Sequence, residues 1–461
     1  MAIEPTPGHA MTGARSRAST AARADTSMGR ARPGASIGRA LRHRNYRLFF
    51  TGQSISLIGT WLTKVATAWL VYRLTGSAWL LGVVGFAGQI PTFLLAPLSG
   101  VLIDRWNRYR VLLATQVLAM VQSAVLAGLA LGGVIRVWEV VALNVLQGLI
   151  DAFDMPVRQS MVVRMVDDRD DLPNAIALNS SMVNGARLLG PAIAGVLIAA
   201  VGEGWCFFVD AVSYGAVIVS VLLMRLDAQP RAARSSHVLK DMAEGFRYVS
   251  GFAPIRALLV LLAVSGLAGR PFAVLLPVIA REVMHGGAGI LGLLQATAGV
   301  GALAGALYLA ARSSVLGLGR VIVVSAALFG LGLMAFSRAH VLWLALPLLL
   351  LAGAGMMTQT AASNTIIQTI VAEDKRGRVM SLLAMSLFGT VPIGSLIAGA
   401  LATRIGAENT ILVGGAICFV SAGAFLRVLP EVRRVIRPIY ERLGILPEAE
   451  VTAARPSRPY R

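Results

Sequence analysis

Residues 100–110, which read Gly-Val-Leu-Ile-Asp-Arg-Trp-Asn-Arg-Tyr-Arg, separate two long apolar runs of the chain. The runs cover residues 77–103 and 111–133, and each is long enough to cross a bilayer, which takes roughly 20 apolar residues. The link between them carries one acid and three arginines. Because short arginine-rich links stay on the cytoplasmic side of a membrane, the segment predicts a transmembrane hairpin whose connection faces the cytoplasm.

The composition points to a membrane protein throughout. The 461 residues are 56% hydrophobic and 14% charged, whereas a soluble domain carries about 25% charged residues. The mean hydropathy is +0.70. A net charge of +19 would be compatible with nucleic-acid binding, but the basic residues cluster at the ends of apolar runs and in the two tails. That distribution is typical of topology signals beside anionic lipid, so we expect the bilayer, and no nucleic acid, as a partner.

Enzymatic and metal chemistry find no support in the sequence. Cys206 and Cys418 lie in apolar runs without metal-ligand neighbours and are expected to be small buried hydrophobes. The chain has no phosphate-binding loop rich in glycine and no cluster of paired catalytic groups. We therefore expect neither a cofactor, nor a metal, nor ATP hydrolysis.

Twelve apolar runs indicate an all-α protein with twelve transmembrane helices. They cover residues 47–71, 77–103, 111–133, 137–160, 173–200, 205–225, 257–280, 288–311, 321–337, 341–371, 379–403 and 408–428. Lysine and arginine concentrate in the links on the side of the 100–110 segment, with at most one per link on the other side. An even number of spans with both termini in the cytoplasm satisfies the positive-inside rule, which predicts a multi-pass protein of the cytoplasmic membrane.

The runs divide into two halves that resemble each other. Residues 190–202 align without gaps to residues 394–406, with glycines at both ends and at the sixth position. Two pseudo-symmetric six-helix bundles around a linker are typical of secondary transporters. The expected organisation is a disordered basic arm (1–46), a first bundle (47–225), a linker with an amphipathic helix over 237–248 (226–256), a second bundle (257–428) and a basic cytoplasmic tail (429–461).

The 100–110 segment resembles the signature loop between spans 2 and 3 of the major facilitator superfamily. The matching residues are Gly100, Asp104, Arg105, Arg108 and Arg110. Asn107 stands where that family usually has glycine, and asparagine also tolerates a left-handed turn. The resemblance implies a gate at the cytoplasmic mouth, where exposed ion pairs worth about 0–1 kcal/mol can break and re-form.

Span 5 resembles the antiporter motif of exporters in the same superfamily. The residues that carry this likeness are Gly185, Gly190, Pro191 and Gly195. Residues 156–159, 171–179 and 376–381 look like the enterobactin-exporter-like branch, which includes siderophore and drug exporters. One departure is Asn144, which occupies the place of an arginine that precedes Gln147-Gly148 in proton-coupled members.

Charged residues inside the spans are the strongest candidates for function, because each costs about 2.5–3.5 kcal/mol on insertion scales. They are Lys64, Asp151, Asp154, Arg187, Asp210 and Arg270. We expect Arg187 and Arg270 to face each other across a central cavity and to hold an anionic or catecholate-like compound, with Asp151 or Asp154 carrying the proton. Alternatively, these charges form structural pairs, with Asp151 and Arg187 as the first candidate. Polar and aromatic candidates for the same cavity are Trp61, Gln89, Gln295, Gln359 and Asn364.

Together these patterns predict a monomeric exporter that moves a small amphipathic compound by alternating access, with protons as the coupling ion. An importer of a small organic anion with the same fold and, less favoured, a transport-inactive membrane sensor remain open alternatives.

Overall fold

The computed structural model of the chain describes residues 38–225, 238–312 and 314–445, apart from the side chains at 96–98, 100, 101, 104, 105, 169 and 238–242. Most of the expected N-terminal arm, His237 and the end of the C-terminal tail lie outside the described residues. The arm expected over 1–46 already contains a 3-10 helix, Arg39–Arg42, before the first long helix begins at Arg44. It is ordered there because the Ala40 amide donates to Asn174 Oδ1 at 3.0 Å and Arg39 pairs with Asp171 at 3.5 Å.

Twelve helices in the described ranges are long and apolar enough to span a membrane, which confirms the expected fold class. Their bounds are α1 Arg44–Thr75, α2 Ala78–Arg105, α3 Arg108–Leu131, α4 Val137–Val162, α5 Leu172–Val201, α6 Glu203–Leu223, α7 Ala253–Val283, α8 Ala288–Ala310, α9 Leu318–Phe336, α10 Leu342–Ile370, α11 Glu373–Ile405 and α12 Ala407–Arg442. The last helix thus runs well past the expected end at residue 428. A linker helix, Val238–Gly251, precedes α7.

The sharp bend between α2 and α3 is made differently from our expectation. Asn107 is not left-handed: its φ of −73° and ψ of 108° are extended. Its side-chain oxygen accepts hydrogen bonds from the amides of Tyr109 (3.0 Å) and Arg110 (3.3 Å). Asn107 therefore serves as the N-cap of α3, a position that asparagine favours because it satisfies amides that have no partner inside the helix.

The two halves meet along two helix pairs, α2 with α11 and α5 with α8. Glycines allow the close approach: a Cβ at Gly82 would lie 2.6 Å from the Ser395 carbonyl oxygen, and one at Gly292 would lie 2.5 Å from that of Pro191. Ser395 and Pro191 are the second residues of the aligned segments 394–406 and 190–202. The two seams are thus the same contact used twice, as pseudo-twofold symmetry requires.

The aligned segments also end alike. Gly202, with φ of +92°, joins α5 to α6, and Gly406, with φ of +83°, joins α11 to α12. Only glycine adopts such φ values without strain. Each pair of helices is therefore connected by a single residue at equivalent places in the two halves.

The bundle has two ends, which we call the terminal face, where α1 begins, and the distal face, where α1 ends. At the distal face Tyr72 of α1 donates a hydrogen bond to Glu282 of α7 and so joins the halves. Toward the terminal face, α4 makes no extended contact with the described helices of the second half, nor does α10 with those of the first. The contacts between the halves are thus unequal at the two ends.

Candidate functional site

An aromatic ring with two cations lies between α1 and α5. The Lys64 ammonium is 5.0 Å from the centroid of the Trp61 ring, and the Arg187 guanidinium carbon is 5.6 Å from it. Both distances are in the range of cation–π attraction. A Cβ at Gly190 would overlap the Trp61 side chain, so this glycine of the antiporter-like motif is what lets α5 approach the indole.

Asp151 is the acid whose charge acts most strongly on Lys64 of this cluster. Among the charged groups around Lys64, Arg187 follows it. The Asp151 carboxylate accepts a hydrogen bond from Gln147 at 2.9 Å, one turn earlier on α4. The alternative of an Asp151–Arg187 ion pair is not formed between these described side chains, since Arg187 lies over Trp61 instead.

Asp154 belongs to a separate, closed network. It is 6% exposed and pairs with Arg158 at 3.2 Å on its own helix. Gln116 and Thr115 of α3 donate to it at 2.6 and 3.1 Å. Charge and hydrogen bonds are therefore satisfied within α3 and α4, which makes Asp154 a structural group in this conformation.

Arg270 is the cation of the second half. It follows a π-helical turn, Ser265–Gly269, a distortion that often marks functional positions. Its guanidinium donates to Thr360 Oγ1 of α10 at 2.9 Å and to the Leu387 carbonyl of α11 at 3.3 Å. The positive charge of Arg187 acts on Arg270 across the boundary between the halves.

Asp210 is the most deeply buried of the charged candidates, at 1% exposed. Its Oδ2 accepts hydrogen bonds from Thr63 of α1 at 2.7 Å and Ser123 of α3 at 2.8 Å. Thr63, Ser123 and Thr360 were not among the candidates predicted from the sequence. Hydroxyls are common in transmembrane helices, and nothing local distinguishes those that serve a charged partner.

The remaining candidate residues differ in how deeply they are buried. Gln359 is 1% exposed and donates to Ser265 at 2.9 Å, so it does not line an open cavity in this conformation. Gln89 is exposed, while Gln295 and Asn364 are half-buried. Of the signature loop, the side chains of Asp104 and Arg105 lie outside the described set, and Arg110 is exposed on the terminal side.

A groove of about 620 Å³ lies on the flank of the first half, between α3 and α4, away from the charged cluster. Its walls are mainly apolar, formed by residues such as Leu118, Leu146 and Leu149, with Trp106 and Arg110 at one end. None of the six charged candidates lines it. The groove is a lateral feature, and the charged cluster remains the better candidate site.

Curated relatives of the chain are transporters. It is 25% identical over 377 residues to the staphyloferrin A transporter of Staphylococcus aureus, covering 80% of this chain and 92% of that protein. It is 29% identical over 415 residues to the multidrug efflux pump Tap of Mycobacterium tuberculosis, covering 85% and 93%.

The fold also matches solved transporter structures. A bacterial homologue of the iron transporter ferroportin, in an inward-facing state, superposes with a TM-score of 0.62 at 17% identity. The match covers 84% of this chain and 98% of that one. A family model for transmembrane secretion effectors matches residues 36–438. The chain is therefore a member of the transmembrane secretion effector family of the major facilitator superfamily, a multi-pass membrane transporter rather than an enzyme.

Proposed function

We propose that this protein exports a small amphipathic compound across the cytoplasmic membrane by alternating access, in exchange for protons. The observation that carries the proposal is the Trp61 ring with Lys64 and Arg187 over it, on two helices of which one, α5, packs against α8 of the second half. The charge of Asp151 acts on Lys64 in this cluster. The names of the relatives, a siderophore transporter and a multidrug efflux pump, support an efflux role.

The cluster suits a compound with an aromatic or apolar body and a polar group. The indole offers a flat apolar surface, and the arginines remain charged at all relevant pH values. Arg187 and Arg270 come from different halves, so a compound held between them contacts both. Binding then depends on how the halves are arranged, as alternating access requires.

The unequal contacts of the two ends support this mechanism. The positive-inside pattern assigns the terminal face to the cytoplasm. With the halves joined at the distal face by Tyr72 and Glu282, the present conformation would load its compound from the cytoplasm. Rocking about the glycine seams would then open the distal face.

The signature loop, residues 100–110, acts in this mechanism as the gate on the cytoplasmic side. Substituting Asp104→Asn removes the acid that the gate needs and leaves the arginines that set topology. We expect transport to fall while insertion and expression stay normal. Unchanged transport would remove the gating role from Asp104.

The function is tested by compound accumulation in cells that carry or lack the gene, with and without an uncoupler. Suitable compounds are ethidium, a macrolide and staphyloferrin A. We expect at least one compound to accumulate less in cells with the gene. The uncoupler should raise its accumulation to the level of cells that lack the gene. Higher accumulation in those cells would indicate uptake, and equal accumulation of every compound would contradict the proposal.

A further inference from the structure

The two oxygens of the Asp210 carboxylate have different surroundings. Oδ2 accepts hydrogen bonds from Thr63 and Ser123, at 2.7 and 2.8 Å. Oδ1 is buried and has no hydrogen-bond partner in the described part of the chain. It lies against the backbone of Gly59, where a Cβ would approach it to 2.7 Å, and a Cα–H group is a poor donor.

Few charged or titratable groups face Asp210 from the helices packed around it. They are Lys64 on α1 and Asp151 on α4, together with Cys206 and Tyr214 on α6 itself. The group of α3 that faces Asp210 is the hydroxyl of Ser123. Lys64 acts on Asp210 through its charge but forms no salt bridge with it among the described residues, since its ammonium lies over Trp61.

This geometry disfavours the ionised acid. A buried carboxylate without a paired cation carries a large desolvation penalty, and an ionised group would leave a charged oxygen without a donor. The neutral acid costs less, because an unpaired O–H group is far cheaper to bury than an unpaired charge. Oδ2 is then the carbonyl oxygen that accepts both hydroxyls, and the proton resides on Oδ1.

We propose, building on the exchange function proposed above, that Asp210 is the site that binds the transported proton and that Lys64 links it to substrate binding at Trp61. With Asp210 protonated, Lys64 lies over the indole and occupies the substrate position, as in the present structure. When a conformational change admits water to Oδ1, the O–H bond breaks, the proton passes to that water, and the carboxylate attracts the Lys64 ammonium. The flexible four-carbon stem of lysine permits that movement, and the face of Trp61 becomes free.

The arrangement makes proton and substrate mutually exclusive. The proton competes with Lys64 for Asp210, and the substrate competes with Lys64 for Trp61. Because one ammonium cannot serve both places, release of the proton favours substrate binding, and proton binding expels the substrate. This is the linkage that an exchanger needs.

Binding of ethidium to the purified full-length protein tests the proposal across pH 5.5–8.5. Acid should weaken ethidium binding to the wild-type protein by up to about tenfold per pH unit, the limit for one competing proton. Asp210→Asn, which imitates the protonated acid, should bind ethidium weakly at every pH. Lys64→Met, which leaves Trp61 free, should bind tightly with a much reduced pH response, and Gly128→Ala serves as a matched control. A wild-type pH response in Asp210→Asn overturns the proposal.

Infrared spectroscopy gives a second readout that does not depend on transport. The wild-type protein should show the C=O band of a buried carboxylic acid, which Asp210→Asn lacks. Should that variant fail to fold, Ser123→Ala, which removes one hydrogen bond to the carbonyl oxygen, should shift the band to higher frequency. A band unaffected by both substitutions overturns the assignment. If wild-type cells show uncoupler-sensitive export while Asp210→Asn behaves like wild type, this inference fails and the proposed function stands.

Discussion

The hydroxyl of Tyr72 in α1 donates a hydrogen bond to the carboxylate of Glu282 in α7. The contact joins the two halves at the distal face, next to a bond within the first half between Arg73 and Glu203 at 2.7 Å. Toward the terminal face, α4 and α10 make no extended contact with the opposite half over the described ranges. The Tyr72–Glu282 bond therefore stabilises the conformation that is closed at the distal face.

We expect Tyr72→Phe to shift the conformational equilibrium toward opening of the distal face. A hydrogen bond to a charged group contributes about 1.5–3 kcal/mol, so the open population should rise about tenfold or more. Distances between spin labels at Leu74 and Arg281, in a background with both cysteines replaced, would measure the shift. Tyr109→Phe on the terminal side is the control. Identical distance distributions in Tyr72→Phe and Tyr109→Phe would contradict the stabilising role of the Tyr72–Glu282 hydrogen bond.

Gly292→Ala is expected to reduce the transport rate at least tenfold while the protein still inserts into the membrane. The added Cβ would lie 2.5 Å from the Pro191 carbonyl and 2.8 Å from the Gly195 Cα, both backbone atoms that cannot turn aside. The comparison is Gly128→Ala in α3, whose Cβ meets no heavy atom within 4 Å. Export by the two variants, at matched membrane levels, checks the expectation, and equal export would show that the seam tolerates separation.

Trp61→Ala should reduce export about tenfold or more, and Trp61→Phe should retain part of the activity. Each cation over the ring contributes about 0.5–2 kcal/mol, and phenylalanine keeps a weaker π face. Trp343→Ala, at a position that is 74% exposed, is the matched substitution. The measurement is the rate of ethidium efflux from cells that carry each variant. A wild-type rate in Trp61→Ala would exclude the indole from the binding site.

His43 predicts a pH dependence of stability at the terminal face. Its ring nitrogens lie 3.3 Å from Asp167 and 3.1 Å from Asp171. Burial by itself lowers the pKa of His43, but the hydrogen bonds and charges of Asp171 and Asp167 outweigh it, and the pKa is raised above 6.5.

Since the folded pKa exceeds the unfolded one, the stabilisation is complete below the unfolded value and is lost as pH rises through the folded value. We therefore expect the wild-type protein to lose more thermal stability than His43→Gln as the pH rises from slightly acidic to alkaline. Thermal unfolding of the two purified proteins across this range measures the difference. His340→Gln, at a more exposed histidine near Glu408, controls for general effects of histidine loss. Parallel stability curves for wild type and His43→Gln would contradict the assignment.

The sequence by itself determined the number and type of the spans and the relation between the halves. A helix in lipid satisfies its backbone hydrogen bonds internally, so each span is encoded by its own local run of apolar residues. The alignment of 190–202 with 394–406 likewise predicted two equivalent halves. The structure adds that glycines of the aligned segments lie at both seams, where Gly195 meets Gly292 and Gly399 meets Gly82.

Only the tertiary structure decided which charge meets which partner. Asp151 and Arg187 were the first candidates for a structural pair, yet Arg187 lies over Trp61, and Gln359 is buried against Ser265 rather than exposed to a cavity. These outcomes depend on the rotation of each helix about its axis and on the distances between helices. Both are set by packing against helices far away in the sequence, which no local pattern of residues contains.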